Sequence, residues 1–370
     1  MPVNELQLGL IGAGVAVVAA VWLYNLWQER QHKKLAEKIF KGGQPDVLLQ
    51  GEGGDERVEP AAIPATDERI EPVAAAPHEE PGAEADDGAA APSVPPADWA
   101  DAIADCVIRI EFPGGVSAPA LWPVQSAWSA GLAKPLAWLG HDAVGGRWKR
   151  IDAHDAGRYV DIVAALQLAD RQGAVSEEEL EVFISGVERL VQQFGGRATL
   201  PQADEVLEHA QALDGFCASV DVQLAVNVVE TAGGSFLGTK LRGLAEAAGM
   251  SLDLDGRFHA RDENGDELFT LANMGPEPFS ADTLKTLAAV GISFVLDVPR
   301  AANGTAAFDR MVMAARQMAQ TLGGSVVDGQ RHALTDAMVV GIRSKVAEIQ
   351  RQMTANQIPP GSARALRLFS

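Results

Sequence analysis

Glycine-rich and titratable stretches are where this 370-residue chain could carry chemistry. The segment GGSFLGTK, residues 233–240, places Gly233 and Gly238 at the interval of a phosphate-binding loop. In such a loop a lysine contacts a phosphate and the hydroxyl residue after it contacts Mg²⁺. Here Thr239 precedes Lys240, so the order is reversed. We interpret the segment as the loop before a helix.

The other residues that could do chemistry lack the spacing that chemistry requires. The sequence has no HExxH pair, no Cys/His ligand spacing and no nucleophile elbow. Acidic runs such as 177–181 and 262–263 are typical of helix N-termini and solvated turns. Cys106 and Cys217 are expected to be small buried residues of a reducing compartment. We therefore predict no enzymatic activity, no cofactor and no metal ion. The scattered histidines are His141, His154, His209, His259 and His332.

The overall charge bounds the class of partner. The formal net charge is -20 and the isoelectric point is near 4.7. Phosphate backbones are bound by clusters of lysine and arginine. The balance therefore argues against nucleic acid as the main partner.

A second glycine-rich stretch, GLIGAG at residues 9–14, opens a long apolar run. A dinucleotide-binding turn would need a preceding strand and a third glycine where Val17 stands. Instead, residues 8–27 contain no charged residue, and about 20 helical residues rise about 30 Å, the thickness of the hydrocarbon layer. We predict a transmembrane helix over 8–27, with a buried soluble helix or a cleaved signal peptide as less favoured alternatives.

Basic residues on one side of this run predict its orientation. Residues 1–7 contain none, whereas the juxtamembrane segment 28–41 is basic. By the positive-inside rule the N-terminus faces away from the cytoplasm and the rest of the chain is cytoplasmic. We expect the basic segment to contact anionic lipid near Lys33, Lys34 and Lys38.

Residues 42–98 differ in composition from the rest of the chain. They are rich in Pro, Ala, Gly, Asp and Glu and poor in large apolar residues. Such a segment cannot bury enough surface to offset its ordering entropy, so we predict a disordered linker. By the flexible-chain estimate it would reach at least about 40 Å.

The segment 220–352 is predicted to be an α+β domain with helices on one face of an antiparallel sheet. In the strand ISFVLDVP, alternate residues including Phe294 and Leu296 should contact the helices, so that Ser293 and Val295 point away. In ELFTLANM, Phe269 and Leu271 are the expected inward residues. Thr335 is expected to cap the last helix. The outward face, with its small and apolar residues, could bind an apolar peptide.

Three of these segments carry a resemblance to a known family. LFTLANMGPEPF, GISFVLDVP and LGGSVVDGQRHALT, in this order, resemble the C-terminal domain of the ZipA family over about residues 220–350. The resemblance implies a cell-division protein at midcell in the bacterial inner membrane. Such a protein would anchor FtsZ filaments, stabilise or bundle them, and help to recruit later division proteins.

The resemblance also implies where the C-terminal tail of FtsZ would bind. Arg257, with Asp255, falls on the outward face of the second strand, where the family has apolar residues. Arg257 is therefore expected to pair with a carboxylate of the tail. The other matching positions on the open face are Ala225, Thr270, Ala272, Met274, Ser293 and Val295.

The segment 102–217 shows the same order of strands and helices as 220–352. QQFGG before a strand parallels QTLGG about 130 residues later, and such repeats often mark duplication. We predict a degenerate second copy of the domain, with an unrelated α/β insertion as the alternative. Its tryptophans are expected in the core. Residues 353–370 are left as a C-terminal tail.

Two further functions stay open at this stage. One is a membrane-anchored division scaffold that has kept the fold and changed its partner. The other, less favoured, is a membrane-anchored cytoplasmic enzyme that uses a cleft between the two segments.

Overall fold

The computed structural model describes residues 94–142 and 144–370. The predicted transmembrane helix 8–27, the basic segment 28–41 and most of the predicted linker lie outside the described residues. Within the described ranges no helix is long and apolar enough to cross a membrane. All of Val94–Ser370 belongs to one compact unit.

The first half of this unit is a sheet with three helices. The sheet is antiparallel and five-stranded, and its strand order is β3-β2-β4-β1-β7 once the elements are numbered along the chain. The strands of this sheet are β1 (Asp105–Ser117), β2 (Leu136–Asp142), β3 (Arg147–Arg150), β4 (Arg158–Gln167) and β7 (Arg197–Ala198). The short strands β5 (Ala169–Asp170) and β6 (Gly173–Ala174) pair with each other in a separate two-stranded sheet. The helices are α1 (Ala118–Ser129), α2 (Glu177–Phe194) and α3 (Ala203–Val220).

The second half has a six-stranded antiparallel sheet of order β10-β11-β12-β14-β8-β15. The strands of that sheet are β8 (Gln223–Glu230), β10 (Met250–Leu252), β11 (Phe258–Arg261), β12 (Glu267–Asn273), β14 (Gly291–Asp297) and β15 (Gly324–Val327), and β9 (Phe236–Leu237) pairs with β13 (Ala288–Ala289) in a separate two-stranded sheet. The helices of this half are α4 (Gly238–Ala247), α5 (Thr283–Thr286), α6 (Gly304–Leu322), α7 (Asp336–Ala355) and α8 (Ala363–Leu368).

Side-chain caps place the ends of the long helices. Helix α2 begins with a capping box, in which Ser176 and Glu179 satisfy each other's backbone N–H groups. Helix α6 ends at Gly323, whose φ of 75° is left-handed and favours glycine. Thr335 accepts a hydrogen bond from the Met338 N–H at 3.3 Å, which confirms the predicted cap of α7.

One face of the second sheet packs against helix α6. Ile292, Phe294, Leu296 and Val298 are fully buried, as the alternation along β14 predicts. From the helix, the apolar stripe that includes Phe308 meets them. The predicted fold class, antiparallel sheets with helices, is therefore confirmed.

The two sheets have the same arrangement of three central strands. In the first sheet, β1 lies between β4, which precedes helix α2, and β7, which follows that helix. In the second sheet, β8 lies in the same way between β14, which precedes helix α6, and β15, which follows it. Beyond these strands the sheets differ. Next to β4 lies β2, the earlier strand of its hairpin, whereas next to β14 lies β12, the later strand of its hairpin. The duplication itself stays a prediction.

Arg171 joins the two halves. This guanidinium lies 2.7 Å from an Asp221 oxygen and 2.8 Å from an Asp297 oxygen, so one cation bridges the end of α3 and the end of β14. The Gln223 amide also donates to Asp297, at 3.1 Å. All three charged side chains are largely buried, and removal of Arg171 would leave two carboxylates without their cation.

Helix α8 also joins the two halves, and the sequence did not predict it in the segment 353–370. Arg364 contacts Asp101 at 2.7 Å, and Arg367 pairs with Asp105. On the other side, Arg300 donates to the backbone oxygen of Phe369 at 3.0 Å. The C-terminal residues are therefore part of the core and contact both halves.

The buried partner of Arg367 gives a stability test. Burial raises the pKa of Asp105, although Arg367 opposes the shift, and the carboxylate is fully buried. Arg367→Ala would leave the buried Asp105 carboxylate without its cation, so we expect the free energy of unfolding to fall by about 3–5 kcal/mol in urea denaturation. Arg316→Ala breaks an exposed pair with Asp336 and should cost about 0–1 kcal/mol. Equal losses in the two variants would contradict this role of α8.

Candidate functional site

The candidate site is the outward face of β8, β12 and β14, opposite helix α6. In the register of the sheet, Ala225 pairs with Val295, and Val295 pairs with Thr270. Ser293 pairs with Ala272 in the next row. Directly paired residues project to the same side of a sheet. The fold therefore brings these five predicted residues into two adjacent rows.

Met274 extends the face into a third row. Its N–H donates to the Gly291 oxygen at 3.1 Å, which continues the pairing of β12 with β14. A side chain at Gly291 would begin 2.7 Å from the Met274 sulfur, so the thioether lies where β14 has no side chain. The glycine thus creates the space that places Met274 flat on the face.

The accessibility of these residues suits a shallow contact surface. Met274 is 37% exposed, and Ala225, Ala272, Ser293 and Val295 are half-buried. Thr270 points to the same side but is only 6% exposed. We expected it on an open face; its neighbours across both strand pairs, His259 and Val295, account for its burial.

Arg257 and Asp255 do not lie on the second strand, so that part of the prediction is wrong. Strand β11 begins at Phe258, and both residues belong to the preceding turn. The cause is Gly256, whose φ of 79° reverses the chain and whose N–H donates to the Asp253 oxygen at 3.2 Å. Arg257 remains exposed at the edge of the face.

The outward residue of β11 is His259, which lies opposite Thr270. Its Nε2 is 3.0 Å from an Asp255 oxygen, and its Nδ1 contacts Glu267. We name the His259 cluster as this histidine with its polar neighbours on the same edge, Asp253, Asp255, Arg261 and Glu267. Sequence reasoning missed it, although the two-residue period that places Thr270 outward also marks position 259.

Neighbouring carboxylates favour the protonated form of His259. Burial lowers the pKa of the ring, but hydrogen bonds and charge attraction from Asp255 and Glu267 outweigh it, so the pKa is raised. The protonated ring donates to both carboxylates, whereas a neutral ring could donate to only one. The β11 side of the face is therefore polar and ionic, in contrast to the rows on β8, β12 and β14.

The remaining sides of the face are also defined. At the ends of β8 and β14, Asp297 points outward and is held by Arg171, so the first half of the chain closes that end. Beside β15, the Asn227 amide donates to the Asp328 backbone oxygen at 3.3 Å, which places the loop after β15 along that side. The accessible apolar rows lie between these polar borders.

The residues that resembled a phosphate loop do not form one. Helix α4 begins at Gly238, and Lys240 donates to the Thr321 backbone oxygen at 2.7 Å. The segment leads into a helix, as interpreted. Burial raises the pKa of both Cys106 and Cys217 to about 12, so these thiols are inert, as expected.

Comparison with known proteins places this face in a family. The family profile described as "ZipA, C-terminal FtsZ-binding domain" matches residues 223–345, which include β8, β12, β14 and the turn at Gly256. Residues 223–345 belong to the ZipA C-terminal domain family.

Individual proteins named ZipA also match part of this chain. "Cell division protein ZipA" of Stutzerimonas stutzeri is 32% identical over 145 residues, which are 38% of this chain and 53% of that protein. The protein of the same name from Ectopseudomonas mendocina is 32% identical over 139 residues, 36% of this chain and 51% of the relative. That of Marinobacter nauticus is 29% identical over 138 residues, 36% and 41% respectively. The chain thus spans about half the length of these curated relatives.

The raised pKa of His259 in the ZipA-type domain predicts a pH-dependent stability. A group with a raised folded pKa stabilises fully below its ordinary value of 6.5 and loses that contribution as the pH rises through the folded value. We therefore expect the free energy of unfolding to fall more steeply above pH 6.5 for the wild type than for His259→Gln, measured by urea denaturation across a pH series. His209→Gln, on the exposed side of α3, is the control. Parallel curves for wild type and His259→Gln would refute the assignment.

Proposed function

We propose that this chain binds the C-terminal tail of FtsZ on the outward face of β8, β12 and β14. The supporting observation is the coincidence of two features on the same strands. These strands lie in the region that matches the ZipA FtsZ-binding domain, and their outward rows expose small and apolar side chains. A flat row of this kind suits an extended or helical peptide held by a few apolar anchors.

Met274 and Val295 are the proposed main anchors. Met274 is the most exposed apolar side chain of the face, and its thioether adapts to irregular partners. Val295 lies at the centre of the row that runs from Ala225 to Thr270. Ala272 and Ser293 are small and let a peptide approach the sheet closely.

Arg257 is proposed at the rim. Its guanidinium is about half exposed, and its Nε lies 3.9 Å from the Asp255 carboxylate, a distance that leaves donors available. A rim cation of this kind steers an acidic peptide and selects its orientation more than it adds affinity.

The cellular role that we propose follows from the same site and from the sequence before residue 94. The chain would anchor FtsZ filaments to the inner membrane at midcell, stabilise or bundle them, and help to recruit later division proteins. In this proposal residues 8–27 span the membrane with the N-terminus periplasmic, Lys33, Lys34 and Lys38 contact anionic lipid, and the linker 42–98 tethers the folded part in the cytoplasm.

For the folded part we propose two related segments, 102–217 and 220–352, with the first as a degenerate copy of the second. The shared order of three strands around one long helix supports this proposal. The hairpin whose strand order differs marks where the copies diverged. Helix α8 and Arg171 then join them into one unit.

A second candidate is a division scaffold of ZipA type that has changed its partner. The His259 cluster supports it, since it makes the β11 side of the face ionic where the resemblance implies apolar residues. A changed partner would carry basic or acidic groups that match this side. At the junction of the two halves the described side chains form ion pairs, and we do not propose an enzymatic activity there.

Charge placed on the face tests the proposed binding. Met274→Glu and Val295→Glu would each bury a carboxylate under an apolar peptide, so we expect the Kd for an FtsZ tail peptide to rise at least about tenfold, or 1.4 kcal/mol. Isothermal titration of the full chain measures this. Met313→Glu is the matched control, because Met313 is 63% exposed on the opposite, helical side.

The same titration separates the two candidates. Tail binding that is lost in the face variants and kept in Met313→Glu supports the FtsZ proposal. No tail binding to the wild type at high micromolar concentration rejects it. In that case, midcell localisation that is retained by the wild type and lost with Met274→Glu identifies the changed-partner scaffold.

Membrane attachment is tested separately by fractionation. The full chain should sediment with membranes and resist extraction by high salt, because an apolar span of about 20 residues is not held by charge. Deletion of residues 8–27 should move it to the soluble fraction. Replacement of Lys33, Lys34 and Lys38 by glutamine is the control and should leave it in the membrane. Extraction of the wild type by salt would contradict the span.

A further inference from the structure

The outward face of the first sheet is covered by the chain itself. A second apolar cluster, separate from the main core, lies on this side of β2, β3 and β4. Ala100 belongs to it and Trp99 packs against it. These two residues come from the segment 94–101, which precedes β1. The predicted linker overlaps this segment at residues 94–98, where Pro95 is buried rather than solvated.

The covering segment is compact and uses one aromatic anchor. A turn closes it, since the N–H groups of Trp99 and Ala100 both donate to the Pro96 oxygen, at 2.9 and 3.2 Å. The Trp99 ring is half-buried, and the Arg150 guanidinium lies 5.4 Å from its centre. A cation over an indole face is attractive, so Arg150 and the apolar cluster hold the ring from two sides.

An acidic residue follows the anchor and ends the segment. Asp101 contacts Arg364 at 2.7 Å and is 8% exposed. Beside the segment a cavity of about 710 Å³ opens, and its lining includes Val94, Pro95, Val107, Arg109 and Thr199. Its lining also includes the paired Arg364 and Asp101, so a carboxylate is already held by an arginine at this end of the face.

The covered face corresponds to the face proposed for the FtsZ tail. In the first sheet, Val107 pairs with Ala165, and Ala165 pairs with Ala137. In the second sheet the row across β8, β14 and β12 consists of Ala225, Val295 and Thr270. Both rows consist of small, mostly apolar residues on the side of the sheet away from the long helix, although β2 and β12 hold different places in their hairpins. One is accessible, and the other is occupied by eight residues of the same chain.

We propose that the outward face of the first sheet is a second peptide-binding surface, occupied in cis by residues 94–101. Its ligand class is a short segment with an aromatic ring followed, two residues later, by a carboxylate. The segment 94–101 defines this class, because Trp99 packs against the apolar cluster and the Arg150 guanidinium, and Asp101 pairs with Arg364. The proposal does not depend on FtsZ binding, because it concerns another sheet and another ligand.

Covalent attachment explains why this surface is closed. A segment tethered directly to β1 competes at an effective concentration of about millimolar or more. A free peptide of the same sequence would therefore bind the wild type weakly and would bind well only when the cis segment is loosened.

The test uses the full chain and a labelled peptide of residues 94–102, VPPADWADA. In Trp99→Ser the cis segment loses its anchor, so we expect the peptide to bind one per chain, at least about tenfold more tightly than to the wild type, by fluorescence anisotropy. Adding Val107→Glu to this variant should abolish binding. A peptide with serine in place of tryptophan is the matched ligand control.

A second variant keeps the test decisive if Trp99→Ser does not fold. Asp101→Asn preserves shape but weakens the contact to Arg364, and it should also increase binding of the free peptide. Increased binding in a folded variant, lost with Val107→Glu, supports the proposal. Binding no tighter than to the wild type, in variants that keep a cooperative unfolding transition, overturns it and leaves the segment as ordinary core packing.

Discussion

The burial of one side of β14 is the constraint on which the rest of the second half depends. Ile292, Phe294 and Leu296 are fully buried against the apolar stripe of α6. Because side chains alternate along a strand, a shift of one residue would move this whole set into solvent. The register of β12 and β8 on either side of β14 is therefore fixed. The composition of the outward rows, Val295 and Ser293 included, follows from it.

The outward face gains its character from its borders as much as from its rows. Apolar residues alone would leave a face that is open to any strand or peptide. Here the His259 cluster lies on one side and the pair of Asp297 with Arg171 closes one end. Both borders are ionic and only partly solvated, so a bound segment must end or carry a matching charge there. In the proposed binding mode the borders would set selectivity, and Met274 and Val295 would supply affinity.

The period of the sequence predicted β8, β12, β14 and β15 and helices α4, α6 and α7, and it divided the residues of β14 and β12 into two alternating sets, one of which contains Ala272 and Met274. It could not predict features that depend on a left-handed glycine or on distant pairing. The turn at Gly256 moves Arg257 off β11, and one conformational choice decides it. Helix α8 is short, and its stability comes from Asp105, more than 250 positions earlier, which no local pattern reveals.

In this chain the ZipA-type domain is joined to the first half by an ion pair and to the C-terminal residues by a hydrogen bond. Asp297 lies on the outward side of β14, yet its cation comes from the first half, and Arg300 just after β14 holds the C-terminal residues. An excised second half would lack Arg171, the cation that lies between Asp297 and Asp221. One end of the candidate face is thus closed by both halves, which belong to one compact unit.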